Sequence, residues 1–165
     1  MSKTYYNPLS DMGKIKETLV NLFQSSPDIT KLATHCFDTP YIEGIITDNG
    51  CSIFLETRLI KVANQRIKEV GVDIYVICHK NSIALTEEDQ AYYNSIDIYG
   101  NRMDCTIQAI HSAITNAQNM DAPKKSYAIG DMTLVAERPI KQHISEKDFY
   151  GKKMSYTYQA FYQKK

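Results

Sequence analysis

KMSYTYQAFY, residues Lys153–Tyr162, is the stretch of sequence that decides the fold. Its apolar and polar residues alternate, which is the pattern of a strand that buries one of its two faces. The face predicted to be buried carries Met154, Tyr156, Tyr158, Ala160 and Tyr162. The opposite face carries Lys153, Ser155, Thr157 and Gln159. The segment is therefore predicted to be a half-buried strand of a sheet.

Two earlier segments show the same alternation. Ile67–His79 is the strongest, because five β-branched or small apolar residues recur at every second position, which predicts a central strand. These residues are Val70, Val72, Ile74, Val76 and Cys78. Cys51–Val62 is predicted to pair with a strand at Tyr41–Thr47 through an Asn49-Gly50 hairpin turn. Its predicted buried face carries Cys51, Ile53, Leu55 and Leu59.

The remaining strand and loops are predicted from weaker signals. A strand over Ile129–Arg138 places Met132, Leu134 and Ala136 on one face. Pro139 cannot donate a ladder hydrogen bond, so the end of this strand is expected at an edge or a bend. The stretch Thr34–Pro40 is predicted to be a loop.

Two amphipathic helices have apolar residues at three- and four-residue spacing. The first is predicted over residues 11–24, with Ser10 as N-cap and an end at Ser25-Ser26-Pro27. Its stripe is Met12, Ile15, Leu19, Leu22 and Phe23. The second is predicted over residues 102–119, with Asn101 as N-cap. Its stripe is Met103, Ile107, Ile110, Ile114 and Ala117.

Together these elements predict an α+β fold in which an antiparallel or mixed β-sheet of about four to five strands carries two amphipathic helices on one face. Residues 1–165 are expected to form a single domain, with the hairpin and central strand over 41–79 and the C-terminal strands over 129–162. The predicted core comprises Leu19, Leu22, Val72, Ile74, Val76, Ile107, Ile110, Ile114, Leu134 and Tyr156.

Charge and hydropathy argue against several kinds of partner. Lys+Arg and Asp+Glu number 19 each, so no overall positive field attracts nucleic acid. No apolar run approaches the roughly 20 residues that span a bilayer, and no membrane partner is expected. The beginning of the chain has no apolar segment of the signal-peptide type, which predicts synthesis in a cytoplasm. The four cysteines, Cys36, Cys51, Cys78 and Cys105, are accordingly expected to be reduced.

No motif predicts catalysis, a cofactor or a metal site. Zinc needs about four converging ligands, whereas Cys78 and His79 point to opposite faces of one strand. Cys105 lies near the positive end of a helix, so a small cysteine/histidine-dependent enzyme is an alternative. Its base would be one of the four histidines, His35, His79, His111 and His143. A nucleic-acid-binding module is another alternative, since aromatic residues accompany lysines near the C-terminus. These are Lys152, Lys153, Lys164 and Lys165.

The order of the elements resembles the small tail-terminator and neck (head–tail joining) proteins of tailed bacteriophages. The resemblance covers about residues 10–162 and rests on the helix at 11–19, the strand at 70–76, the helix start at 101–104 and the closing strand around 156–158. It implies a non-enzymatic structural virion component, made in the bacterial host cytoplasm, that forms a ring, commonly a hexamer. Such a ring caps the tail tube and joins it to the head. A head-closure or minor tail subunit of the same fold is the alternative within this class.

The implied partners are further copies of the chain and tail-tube, sheath or neck/connector proteins. The polar segment Asn81–Ser95 is predicted to be a connecting arm or loop that reaches a neighbouring subunit, with a disordered surface loop as the alternative. Ile83 and Leu85 are its predicted apolar anchors, with a polar rim of Glu87, Glu88 and Asp89. Deleting residues 81–89 is expected to leave the domain folded and to stop assembly. The amphipathic tyrosines Tyr158 and Tyr162 complete the predicted interaction residues.

Overall fold

A five-stranded sheet and four α-helices make up the described part of the chain. The structure is a computed structural model that describes residues 8–38, 50–64, 67–119, 132–140 and 149–161. Its helices are α1 (Pro8–Gln24), α2 (Pro27–Thr30), α3 (Glu87–Ser95) and α4 (Arg102–Gln118), with a short 3₁₀ turn at Lys80–Ser82. Its strands are β1 (Ala33–Phe37), β2 (Cys51–Asn64), β3 (Ile67–His79), β4 (Thr133–Pro139) and β5 (Phe149–Phe161).

The strands form a mixed sheet in the order β1-β2-β3-β5-β4. β1 runs parallel to β2, and the other three pairs are antiparallel. β3 lies in the centre and pairs along its length with β2 on one side and β5 on the other. The predicted fold class and the central position of β3 are therefore confirmed.

The main core lies between one face of the sheet and the helices. All five alternating residues predicted on β3 are fully buried, and so are Met154, Tyr156 and Tyr158 of β5. The apolar stripes of α1 and α4 pack against these strand residues, which confirms the predicted helix faces. The stripe residues in this core are Ile15, Leu19 and Phe23 of α1 and Ile107, Ile110, Ile114 and Ala117 of α4. Leu22 is half-buried at its border.

The start of α4 is held by a capping box, as Asn101 predicts. The backbone N–H of Asp104 donates to the Asn101 side-chain oxygen at 2.9 Å, and the Asp104 carboxylate accepts from the Asn101 N–H at 3.2 Å. Gly100 precedes the cap with φ 105°, where a Cβ atom would lie 2.6 Å from the Asp104 carboxylate. Glycine is therefore the residue that allows this tight entry into the helix.

Several predicted boundaries and burials are wrong. α1 begins at Pro8, so Ser10 lies inside the helix; proline suits a first turn because the N–H that it lacks has no partner there. Part of the predicted loop at 34–40 is β1, a short strand with little alternation in its burial. Leu59 and Leu134, both predicted to be buried, are exposed. Alternation identifies the face of a strand, but it does not reveal whether another element covers that face.

Some predictions fall outside the described residues. These are the strand at 41–47, Asn49 of the hairpin turn, residues 129–131 of the fourth predicted strand, the side chains of Met12 and Ala160, and Tyr162. Gly50, which follows Asn49, has a positive φ of 69°. The pairing of Cys51–Val62 predicted through this turn is wrong beside the turn, because residues 51–54 pair with β1 on one side and with β3 on the other.

The other face of the sheet also buries some side chains. Phe54 and Ile77 form a small second cluster there. Asp73 points away from the main core and is 3% exposed on this face. Its carboxylate accepts hydrogen bonds from Arg58 Nε at 3.0 Å and from Ser155 Oγ at 2.7 Å. These two donors satisfy the buried charge, so the network has a structural role in joining β2, β3 and β5.

Candidate assembly surface

The predicted connecting arm is largely the helix α3, so its interpretation as a loop is wrong. Thr86 caps the helix by accepting from the Asp89 N–H at 3.2 Å. Tyr93 is its anchor, with a fully buried ring and a hydroxyl that donates to the Asp28 carbonyl at 2.8 Å. Tyr93 is the buried residue of α3, and a helix with one buried position has no apolar stripe to reveal it.

The segment before α3 is also attached to the domain. Ile83 and Leu85, the predicted apolar anchors, are half-buried and pack against the domain's own core. The Arg102 N–H donates to the Ile83 carbonyl at 2.8 Å, and Arg102 Nε donates to the Ser82 carbonyl at 2.6 Å. A deletion of residues 81–89 would remove these contacts and the Thr86 cap. These contacts argue against the expectation that this deletion leaves the domain folded, and the contribution of the segment to assembly stays a prediction.

The other predicted interaction residues lie in different surroundings. Glu87 and Glu88 are exposed in the first turn of α3, where carboxylates interact favourably with the helix dipole. Asp89 forms a 3.0 Å ion pair with Lys31, and this contact joins α3 to the end of α2. Tyr158 is 2% exposed in the core, so its predicted surface role is wrong. The rim role of the three acids stays a prediction.

Sequence reasoning missed two groups of exposed aliphatic side chains on the sheet. The β2 strip consists of Leu59 and Val62, which are 49% and 52% exposed. Ile60, 39% exposed, lies beside Gly71 on the opposite face of the sheet. The β4 strip consists of Leu134 and Val135, which are 40% and 56% exposed. Large aliphatic side chains grouped on a surface mark an interaction site more often than single ones do. The only sequence signal for them was the alternation of apolar and polar residues, which continues in the strands beyond the part that the helices cover.

Both strips lie on edges of the described sheet. β4 pairs with β5 on one side and is the last strand of the sheet order. β1 pairs with β2 only along Cys51–Phe54, so within the described residues the outer side of β2 has no strand beyond Phe54. An edge exposes backbone N–H and C=O groups that can pair with another chain. The aliphatic strips therefore coincide with two places where backbone pairing is available.

The strips lie at the same end of the sheet. The strand registers place Leu134 in one row with Tyr156, Val72 and Thr57. Leu59 lies two residues further along β2 than Thr57, a distance of roughly 7 Å along the strand. Leu59 and Leu134 both project from the helix-bearing face, because they occupy rows with the core residues Val70 and Tyr156.

A third exposed group surrounds α3. Tyr92, Ile96 and Tyr99 are 41%, 40% and 55% exposed. The two tyrosine hydroxyls already bind carboxylates of their own domain, those of Asp28 and Asp97. In the described residues no strand edge adjoins this group. It therefore offers a partner fewer backbone groups for pairing than the strips do.

Neither Cys105 nor Cys36 has the environment of a catalytic nucleophile. Cys105 is fully buried, and burial followed by the charge of Asp104 raises the pKa of its thiol. Burial and Asp38 raise the pKa of Cys36 to about 12. A nucleophilic cysteine needs the opposite shift, toward a thiolate at neutral pH. Among the described residues, no group of three or more His, Cys, Asp and Glu side chains is placed to bind a metal ion.

His111 belongs to a polar cluster on the helix-bearing side. One ring nitrogen of His111 shares a hydrogen bond with the Tyr156 hydroxyl, and the other lies 4.0 Å from a Glu137 carboxylate oxygen. Lys152 approaches the same oxygen at 3.5 Å. Burial lowers the pKa of His111; the charge of Glu137 opposes this shift and that of Lys152 adds to it.

This shift predicts a pH-dependent stability. The unfolded histidine titrates near 6.5, and His111 in the folded chain titrates below that value. Below about pH 6.5 the unfolded chain therefore binds more protons, and the free energy of unfolding falls as the pH falls through the folded pKa. Urea unfolding at pH 7.5 and pH 5.5 is expected to show a smaller loss of stability for His111→Gln than for the unchanged chain. Ser112→Ala, an exposed neighbour, is the control, and an unchanged slope in His111→Gln would contradict the assignment.

The fold and this surface define a class of protein, an α+β domain whose mixed sheet has aliphatic strips on two of its edges. The chain belongs to the YomW family, whose sequence profile matches residues 4–158. The family name is of the kind given to the yom genes of a Bacillus phage, so the chain is phage-associated. No curated protein matches it. Within the described residues no helix has the length and apolar character needed to cross a membrane.

Proposed function

We propose that the chain is a structural component of a tailed phage particle, a ring-forming tail-terminator or neck protein that caps the tail tube and joins it to the head. The observation that carries this proposal is the pair of aliphatic strips on two sheet edges. The phage association of the family and the element order that resembles tail-terminator proteins support the same assignment.

The physical argument concerns the isolated subunit. Natural proteins protect exposed sheet edges with charges, proline or covering segments, because an open aliphatic edge promotes association. Pro139 ends β4, yet Leu134 and Val135 stay open to solvent further along the strand. A neighbouring subunit would remove these side chains from water. The balanced charge of the chain, +0 at pH 7, keeps repulsion between identical copies small.

The alternatives have less support. A cysteine-dependent enzyme would use Cys105, which is buried and has a raised thiol pKa. For nucleic-acid binding, two of the four candidate lysines have partners in their own domain. Lys152 pairs with Glu137, and Lys153 lies 5.9 Å from the centre of the Tyr75 ring. A head-closure or minor tail subunit would use the same strips, so the partner bound distinguishes it from a tail terminator.

The test uses the full chain and purified tail tubes of its phage. We expect a discrete oligomer, either alone or on tubes, measured by size-exclusion chromatography with light scattering and by negative-stain microscopy. A tail terminator places one ring at the end of each tube, whereas a head-closure protein binds emptied heads in preference to tubes. A chain that stays monomeric alone, with tubes and with heads would overturn the proposal.

A further inference from the structure

We propose that neighbouring copies associate head to tail, with β4 of one copy pairing antiparallel to the outer part of β2, residues 55–62, of the next. This inference rests on the proposed function and assigns its interface. The β4 strip of one copy thus contacts the β2 strip of a second copy of the chain.

Strand direction is the first argument. Three antiparallel steps separate β2 from β4, through β3 and β5, so β4 runs opposite to β2. When a second sheet continues the first in the same orientation, β4 of one copy meets β2 of the other antiparallel. Antiparallel ladders are slightly more stable per residue than parallel ones, and no strand needs to reverse.

The second argument is that the two strips lie at similar positions along the strands and on the same face of the sheet. Leu134 lies in the row of Thr57, and Leu59 lies about 7 Å further along the same strand. Both leucines project from the helix-bearing face. Joining two sheets with little displacement along the strands therefore brings the β4 strip against the β2 strip. A pairing with inverted orientation would instead place Leu134 and Leu59 on opposite faces.

Edge length is the third argument. β1 covers β2 only as far as Phe54, and the strand continues to Asn64. Within the described residues this leaves a stretch of β2 at least as long as β4, which has seven residues. β1 itself is short and half-buried, so the outer part of β2 is the better match to β4.

The type of contact decides whether copies can be added beyond a dimer. A contact between two different surfaces produces a ring if the rotation between copies closes and a filament if it does not. A symmetric β4–β4 contact would stop at a dimer and leave the β2 strip exposed. Head-to-tail contact covers both strips in every copy.

The test uses two double variants of the full chain. Leu134→Lys with Val135→Lys blocks the β4 strip, and Leu59→Lys with Val62→Lys blocks the β2 strip. Each variant alone is expected to lose the ring, with association weakened about hundredfold or more, because lysines would be buried in an apolar contact. All four positions are at least 40% exposed, so folding is retained, which circular dichroism checks. Tyr99→Lys, at an exposed position away from both strips, is the matched control and should keep the ring.

Mixing the two variants gives the deciding result. The β4 of the β2-strip variant and the β2 of the β4-strip variant are both unchanged, so an equimolar mixture is expected to form a dimer with one chain of each type. Native mass spectrometry distinguishes this mixed dimer from either variant alone. If the β2-strip variant keeps the oligomer while the β4-strip variant loses it, the head-to-tail contact is wrong and the proposed function stands. Rings formed by both variants would also overturn the contact, whereas an unchanged chain that stays monomeric alone, with tubes and with heads would overturn the proposed function.

Discussion

Replacing Ile110 by alanine is expected to lower the free energy of unfolding by about 2–5 kcal/mol. Ile110 is fully buried on α4, which packs against β3. Truncation removes apolar contact and leaves a cavity that the surrounding strands can fill only in part, because the core side chains on β3 are held by the sheet. Urea or guanidinium unfolding followed by circular dichroism measures the change.

Ser112→Ala is the matched control for this substitution. Ser112 lies two residues away on the same helix and is exposed, so its replacement should change the stability by no more than about 0.5 kcal/mol. An Ile110→Ala variant that differs from the unchanged chain as little as this control does would mean that the helix packs through a different face.

Replacing Tyr93 by alanine is expected to cost about 3–5 kcal/mol, the range for a buried aromatic residue. Its ring is the buried part of α3, and its hydroxyl donates to the carbonyl of Asp28 in α2. Loss of the side chain therefore removes both the apolar anchor and the hydrogen bond that hold α3 on the domain. Thermal and urea unfolding measure the stability, and limited proteolysis measures whether residues 87–95 become accessible.

Two further variants separate the contribution of the buried Tyr93 ring from that of its hydroxyl hydrogen bond. Tyr93→Phe keeps the ring and loses the hydrogen bond, for an expected cost of about 0.5–1.5 kcal/mol. Tyr99→Ala truncates an exposed tyrosine and should change the stability little. If Tyr93→Ala costs no more than Tyr93→Phe, the ring is not an anchor, and the segment behaves as the flexible arm that its polar composition predicts.

The sequence by itself determined the elements in which many residues of one segment share a face. Val70–Cys78 and Met154–Tyr158 alternate because each strand has one face toward the core, and Ile107–Ile114 repeats at helical spacing for the same reason. Asn101 likewise marks the start of α4, because a cap satisfies backbone donors a few residues away. These signals are local, and a single sequence contains them.

The tertiary structure alone decided the anchoring of α3 and the position of the candidate assembly surface. α3 is held by Tyr93 through a carbonyl 65 residues earlier in the chain, a contact that leaves no periodic pattern. Leu59 and Leu134 alternate as core residues do, yet β4 is an edge strand and β1 ends opposite Phe54. Strand order and helix coverage come from contacts between distant segments. Alternation specifies which way a side chain points, and only the assembled sheet determines what it meets there.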